Sequence, residues 1–434
     1  MKHFAFNWRT GILPAAGIQL STAGTALATD ITVWCWDPNF NGATMKEAGA
    51  RYAKDHPDVT VNVVDFAKGD LEQKLQAQLA SGTTDGLPDI VLIEDCGAQK
   101  YLQSIPGAFE PLNDSLDYSQ FAKYKVALAT VADKTYSLPF DSGVTGLFYC
   151  SDILTQAGYK DADLLDITWD QFIDIAKAVT DKTSHPMPGG DLNDAGIMRI
   201  LLQSAGSWYF KEDGSLNIKD NPVIKAALTQ YAKILQTPEI WKPVSGWTEY
   251  TGAFATGETA SVVTGVWMTA TIKAAKMSGQ WGVAPIPKLA GVDGAGHASN
   301  LGGSSWYVLT AGPNKAAATD FLSKVWGTDV DFYQKILVDQ GAFATFLPAR
   351  DGPAFKASDA YFGGQPVWQN FSTWLAAIPS VNYGIFTNEA DAAVAAQLPA
   401  IAKRGGSVCL NRFRAFLKWI SALIMLPPEP ATAG

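Results

Sequence analysis

Apolar and polar positions divide the chain into a regular series of elements. Asp30–Trp36 (DITVWCW) is β-branched and aromatic, which predicts a strand. Met45–His56 has helical spacing and stops before Pro57, and Val59–Phe66 (VTVNVVDF) reads as a second strand. A helix is predicted over Asp70–Ser81, with Asp70 placed to cap it and Gly82 to end it. Pro88–Ile93 is apolar throughout, as a parallel strand covered on both faces should be. Strand, helix, strand, helix, strand at this spacing predicts a βαβ array. Open α/β sheets place ligands beyond the carboxyl ends of their strands, here Trp36-Asp37 and Glu94-Asp95.

The segment Tyr136–Leu154 (YSLPFDSGVTGLFYCSDIL) organises the rest. It predicts a short strand into Pro139, a polar break at Phe140–Gly143, a second strand over Val144–Tyr149, and a helix opened by Ser151-Asp152. Apolar runs punctuated by Pro, Asp and Gly suit a segment that crosses between two lobes. Helices are then predicted over Trp169–Val179, Ile197–Ala205 and from Asp220-Pro222 through Leu235, with Pro222 at the tolerated first turn. Strands follow at Ala260–Thr264, Trp281–Pro285 and Ser305–Thr310, the last two separated by a Gly-rich loop, Gly291–Gly303. A helix over Lys315–Trp326, a break at Phe346–Arg350, and helices around Tyr361–Ala376 and Glu389–Lys403 close the body.

The two ends read differently. Lys2 and Arg9 precede a weakly apolar run, and Ala26-Leu27-Ala28 is an A-x-A cleavage site, so residues 1–28 read as a signal peptide of an exported, soluble protein. No Cys stands at the cleavage point, which argues against a lipid anchor. After Gly405-Gly406 the chain turns basic and apolar (VCLNRFRAFLKWISALIML). That tail reads either as a docked amphipathic helix or as a reading-frame difference from relatives, and it is too short and too charged to span a membrane.

At 434 residues and 47% apolar composition the chain is long for one core, and two lobes are expected. The formal charge is −9, and loss of Lys2 and Arg9 with the leader takes it to −11. An acidic body without basic blocks argues against nucleic acid or an anionic membrane surface as partner. Cys35, Cys96, Cys150 and Cys409 match no metal or redox spacing; a disulfide between some pair and burial as small hydrophobes both remain open. The four His fall in the leader or beside Pro and Gly, and no metalloprotease, nucleophile-elbow or phosphate-loop motif occurs. No cofactor, metal or catalytic residue is expected.

What stands out is aromatic excess at turns, with 14 Trp. Sugars offer C–H faces that stack on flat rings, and hydroxyls that pair with carboxylates and amides. A cleft combining Trp with Asp would suit a neutral sugar, and Trp36-Asp37, Asp141 and Trp267 fit that description.

Several motifs in order, LPDIVLIED, YSLPFDSGVTGLFYCSDIL, FATGETASVVTGVWM, GGSSWYVLT and FLPAR, resemble those of extracellular solute-binding proteins of the maltose-binding type. The resemblance spans about residues 30–402 and implies an α/β, type II periplasmic-binding-protein fold: two lobes joined by hinge crossings, closing on a sugar as a clamp. It further implies that the liganded form docks, as a monomer in the periplasm, on the membrane permease subunits of an ABC importer. Residues 29–139 and 296–345 would form lobe 1, residues 140–295 and 346–403 lobe 2, and residues 404–434 an atypical tail. In the cleft the resemblance puts Trp36, Asp37, Asp95, Asp141 and Trp267, followed by Trp306 and Arg350, with Trp208, Trp247, Tyr383 and Phe386 as further aromatics. The expected ligand is a disaccharide, with a galactoside such as lactose as one option. A glycosidase using paired carboxylates and a receptor for a cationic solute are the alternatives.

Overall fold

The computed structural model describes Met1 and residues 29–274 and 281–403. The leader and the tail after Lys403 lie outside the described residues. The first third of the chain is the anticipated array: β1 (Thr29–Trp36), α1 (Asn41–Tyr52), β2 (Val59–Phe66), α2 (Lys68–Ser81), β3 (Ile90–Glu94) and α3 (Asp95–Ser104). β1 pairs in parallel with β2 on one side and β3 on the other. Alternate residues of these strands enter different cores. Ile31, Val33, Cys35, Ile90 and Leu92 join the main core, whereas Trp34, Val91 and Ile93 join a second cluster with Leu71 and Leu75 of α2 and Leu102 of α3. Both faces are therefore covered, which accounts for the unbroken apolar run in β3.

The sheet continues through β7 (Asn300–Val308), antiparallel to β3, and then β4 (Ser137–Cys150). β4 is a single 14-residue strand buried along its whole length. Its first half pairs with β7; its second half pairs with β5 (Ser261–Gly265) on one side and β6 (Trp281–Ala284) on the other. One strand thus belongs to two sheets, and it changes partners at Ser142–Val144. The polar break expected at Phe140–Gly143 is instead continuous strand. The irregularity is in the pairing with β7, whose register shifts between Asn300 and Gly303 and again between Ser304 and Ser305, opposite Gly143 and Phe140. Gly302 and Gly303 both have φ of 85°, a left-handed conformation that a side chain would strain. Gly143 has no room for one either: a Cβ would lie 2.1 Å from the Leu301 carbonyl oxygen.

α5 (Trp169–Thr183), α6 (Gly196–Ser204) and α7 (Pro222–Leu235) share the main core with the strands of the second sheet. Thr168 and Gln171 form a reciprocal capping box at the start of α5, and Asn221 caps α7 with Pro222 in its first turn. α8 (Gly246–Ala255), α9 (Val367–Ala376) and α10 (Thr387–Ala395) complete the elements used below. Asp70 does not cap α2; the helix begins two residues earlier and Asp70 sits in its first turn, while Gly82 does end it in the left-handed conformation. Cys35, Cys96 and Cys150 are free thiols.

Candidate functional site

Between the two sheets, over the strand that joins them, lies a cavity of about 760 Å³. That is within the roughly 300–1,000 Å³ of small-molecule sites. The carboxyl ends of β1 and β3 form one wall. The opposite wall comes from the short strand Gly189–Asp191, the start of α6 and the turn after β5. Asp141 and Gly302–Ser304 form the floor.

On the first wall, Asp37 adopts φ of 59°. Its Oδ1 accepts the amides of Asn39 and Phe40 at 3.1 and 3.0 Å, and its carbonyl accepts Gly42 at 3.1 Å. The side chain's bonds to its own turn explain why Asp tolerates this conformation. Trp36, half-buried, lies under the Lys68 ammonium, 5.9 Å from the ring centroid. Lys68, the first residue of α2, reaches back to pair with Glu94 at the end of β3. Burial works against charge on Glu94, but Lys68 and then Arg199 outweigh it and hold the carboxyl below its usual range. On the second wall, Arg199 of α6 pairs with Asp391 of α10 at 2.5 Å, and Tyr209 donates to the other oxygen of Asp391 at 3.0 Å. Trp267 donates its indole N–H to the Leu301 carbonyl at 3.0 Å, which fixes the ring against the crossing strand. At the floor, Oδ1 of Asp141 accepts both the amide and the hydroxyl of Ser304, at 2.8 and 2.6 Å.

Of the residues expected in the cleft, Trp36, Asp37, Asp141 and Trp267 line this cavity together. Asp95 does not. As the first residue of α3 it is turned into the protein, 2% exposed, with Oδ1 on Lys125 Nζ at 2.5 Å, and its neighbour Glu94 takes the wall position. Trp306 is fully buried against Phe140 and Trp326, because its place in β7 puts it on the main-core face of the sheet. Arg350 lies outside the cavity in the short helical turn Leu347–Asp351, and burial lowers its pKa. Trp208 and Tyr383 are buried behind the cleft with ring centroids 4.5 Å apart. They line a crevice of about 10 Å³ that shares Glu94, Arg199, Leu301 and Gly302 with the cavity. Trp208 donates to Thr387 Oγ1 at 2.9 Å, and the Tyr383 hydroxyl donates to Gln203 Oε1 at 3.1 Å. Phe386 is half-buried against the core. The side chain of Trp247, in α8, lies outside the described residues. Lys68, Arg199, Asp191, Asp194, Tyr231 and Tyr250 also line the cavity and were not anticipated.

A sheet pair bridged by one shared strand, with a polar and aromatic cavity over that bridge, defines a two-lobed binding protein. The chain belongs to the bacterial extracellular solute-binding proteins, whose family model matches residues 47–363. It is 56% identical over 392 residues, 90% of this chain and 92% of the other, to the lactose-binding protein of Rhizobium radiobacter. It is 25% identical over 324 residues, 71% of each chain, to an arabinooligosaccharide-binding protein of Bacillus subtilis (strain 168). The same fold is seen in the sugar-binding protein MalE from Xanthomonas citri, with a TM-score of 0.75 at 18% identity, covering 92% of this chain and all of that one. The family and these relatives are binding proteins, not enzymes. Among the described residues no helix is long and apolar enough to cross a membrane, and no group of His, Cys, Asp and Glu could hold a metal ion.

Proposed function

We propose that the cleft captures a neutral sugar, lactose or a closely similar disaccharide, and that the closed form delivers it from the periplasm to the membrane permease of an ABC importer. The observation that carries this reading is the lining itself: two tryptophans, Trp36 and Trp267, share one cavity with the hydrogen-bonding groups of Asp37, Glu94, Asp141 and Lys68. The 56% identity to a lactose-binding protein over 90% of the chain supports lactose as the first sugar to test. Trp36 and Trp267 are the stacking platforms; Asp37, Glu94 and Asp141 accept sugar hydroxyls, and Lys68 and Arg199 donate to sugar oxygens. Glu94 already faces Lys68, and Arg199 adds a second cation, which favours a neutral polyol over a cationic solute.

Closure would turn about the partner change in β4 at Ser142–Val144 and the paired glycines Gly302 and Gly303. On that axis residues 29–139 and 296–345 form lobe 1, and residues 140–295 and 346–403 form lobe 2. The protein acts as a monomer; among the described residues the exposed large apolar side chains Val64, Leu165 and Val338 stand far apart in sequence on separate segments, which supports this reading. The test is thermal unfolding of the mature protein against a panel of mono- and disaccharides, with the sugars analysed afterwards. Ligand at a hundredfold excess over Kd adds about 2.7 kcal/mol of stability. A rise in Tm with lactose, recovered intact, is the expected result; no shift with any sugar overturns the assignment.

A further inference from the structure

Beneath the floor of the cavity, Lys125 and Asp95 form a buried charge pair that the binding reading does not use. Lys125, on the helix α4 (Lys123–Leu128), has a side chain that is 0% exposed. Its ammonium donates to Asp95 Oδ1 at 2.5 Å and to the Ser304 carbonyl at 2.8 Å. Ser304 in turn holds Asp141 by its amide and hydroxyl, and Asp141 lines the cavity. The second oxygen of Asp95 is buried without a hydrogen-bond partner. It faces Gly303, where a Cβ would lie 2.9 Å from it, so the cluster sits directly against the glycines of the crossing segment.

We propose that Asp95, Lys125 and Asp141 form a buried proton-holding triad, and that loading a ligand on Asp141 releases part of that proton, so that solute binding is linked to pH. This rests on the reading of Asp141 as a ligand contact. Two carboxylates and one ammonium carry a net charge of −1 when all are ionised and zero when one carboxyl keeps its proton. A charge removed from water is costly unless paired and hydrogen-bonded, so the neutral state is favoured there. The unpartnered oxygen of Asp95 is the place for the proton, because the other oxygen is occupied by Lys125 and Oδ1 of Asp141 is occupied by Ser304.

The groups that face Asp95 agree with this assignment. Burial pushes its carboxyl up to about 7 against the pull of Lys125, with Asp141 and then Glu94 adding like charge. The phenols of Tyr124, Tyr307 and Tyr383 lie close enough to feel Asp95, and burial raises all three, so they stay neutral. Asp141 is also raised by burial, with Lys125 and the Ser304 bonds opposing. Ligand hydroxyls that donate to Asp141 favour its charged form and draw its field away from Asp95. Both effects lower the proton affinity of the triad, and affinity for the ligand therefore rises with pH through neutrality.

The experiment has two arms. Carboxyl-carbon NMR of the unliganded protein should show Asp95 titrating near neutrality rather than in the ordinary carboxylate range. Calorimetric titration with lactose at pH 7, in buffers of different ionisation enthalpy, should show release of about half a proton per sugar bound. In Asp95→Asn that release should fall to near zero while lactose still binds. Asp95 titrating below pH 5, or a binding heat independent of buffer, overturns the triad. If lactose does not bind at all, the sugar reading fails, and the NMR arm still decides the protonation of Asp95.

Discussion

The walls of the cleft and its floor handle polar groups in opposite ways. Along the first wall Asp37 is exposed and Trp36 and Lys68 are partly so, leaving surface that a ligand can meet. Beneath the floor Asp95 and Lys125 are sealed, and the Lys125 ammonium donates to Asp95 and to the Ser304 carbonyl rather than to solvent. Glu94 and Asp95 make the contrast within one peptide bond: the first ends β3 and lines the cavity, the second opens α3 and leaves it. Identical chemistry in sequence thus faces the cavity in one place and is sealed beneath its floor in the other, and burial decides which.

Substitutions can break that division. Trp306→Ala should be the most damaging to the fold, costing about 3–5 kcal/mol by chemical denaturation because it empties a core site. Folded protein at low temperature should still bind lactose as wild type does. A normal fold with lost binding would move Trp306 back into the site. Next, Lys125→Met should cost about 3 kcal/mol, since it leaves Asp95 buried without its cation. Urea unfolding measures this, and the loss should be larger at pH 9, where wild-type Asp95 is ionised against Lys125, than at pH 6, where Asp95 holds its proton in both proteins. Trp267→Ala should weaken lactose binding by about 2 kcal/mol, roughly thirtyfold in Kd, with stability changed far less. Smallest of all, Lys68→Met should cost about 1 kcal/mol of affinity, because its ammonium is partly exposed and screened.

A pH prediction sharpens the same contrast. Burial raises the Asp95 carboxyl in the folded protein to about 7, well above the ordinary range of an aspartate. The folded state then binds the extra proton, so the stabilisation is fully present below about pH 4 and is lost as pH rises through about 7. Unfolding free energies of wild type and Asp95→Asn, compared across pH 4–8, should diverge in that window, with the wild-type curve falling relative to the variant as pH rises. Parallel curves would remove Asp95 from the titration.

Much of this was legible in the sequence for a physical reason. A strand buried on both faces must be apolar at every position, so LPDIVLIE announced β3 and the array around it. Trp36-Asp37 followed from the rule that open sheets bind beyond their strand ends. The stretch Phe140–Gly143 reads as a break because Pro and Gly usually interrupt strands; here Phe140 and Gly143 fall at shifts in the register of the partner β7, while β4 itself runs on. The tryptophans could not be sorted by composition. Trp267 faces the cavity and Trp306 the core because of strand parity and the turn after β5, which depend on tertiary pairing. Lys68 and Arg199 carry no local signature; one opens a helix and the other lies inside one, and only the fold brings both beside Glu94.

The central claim is that this cleft binds lactose or a close relative through its tryptophan walls. Its most direct test is calorimetric titration of lactose into the mature wild-type protein and, alongside it, Trp267→Ala. Saturable binding at one site per chain is expected for wild type, weakened about thirtyfold in the variant. No binding by a folded wild-type protein, or equal affinity in the two proteins, would contradict it.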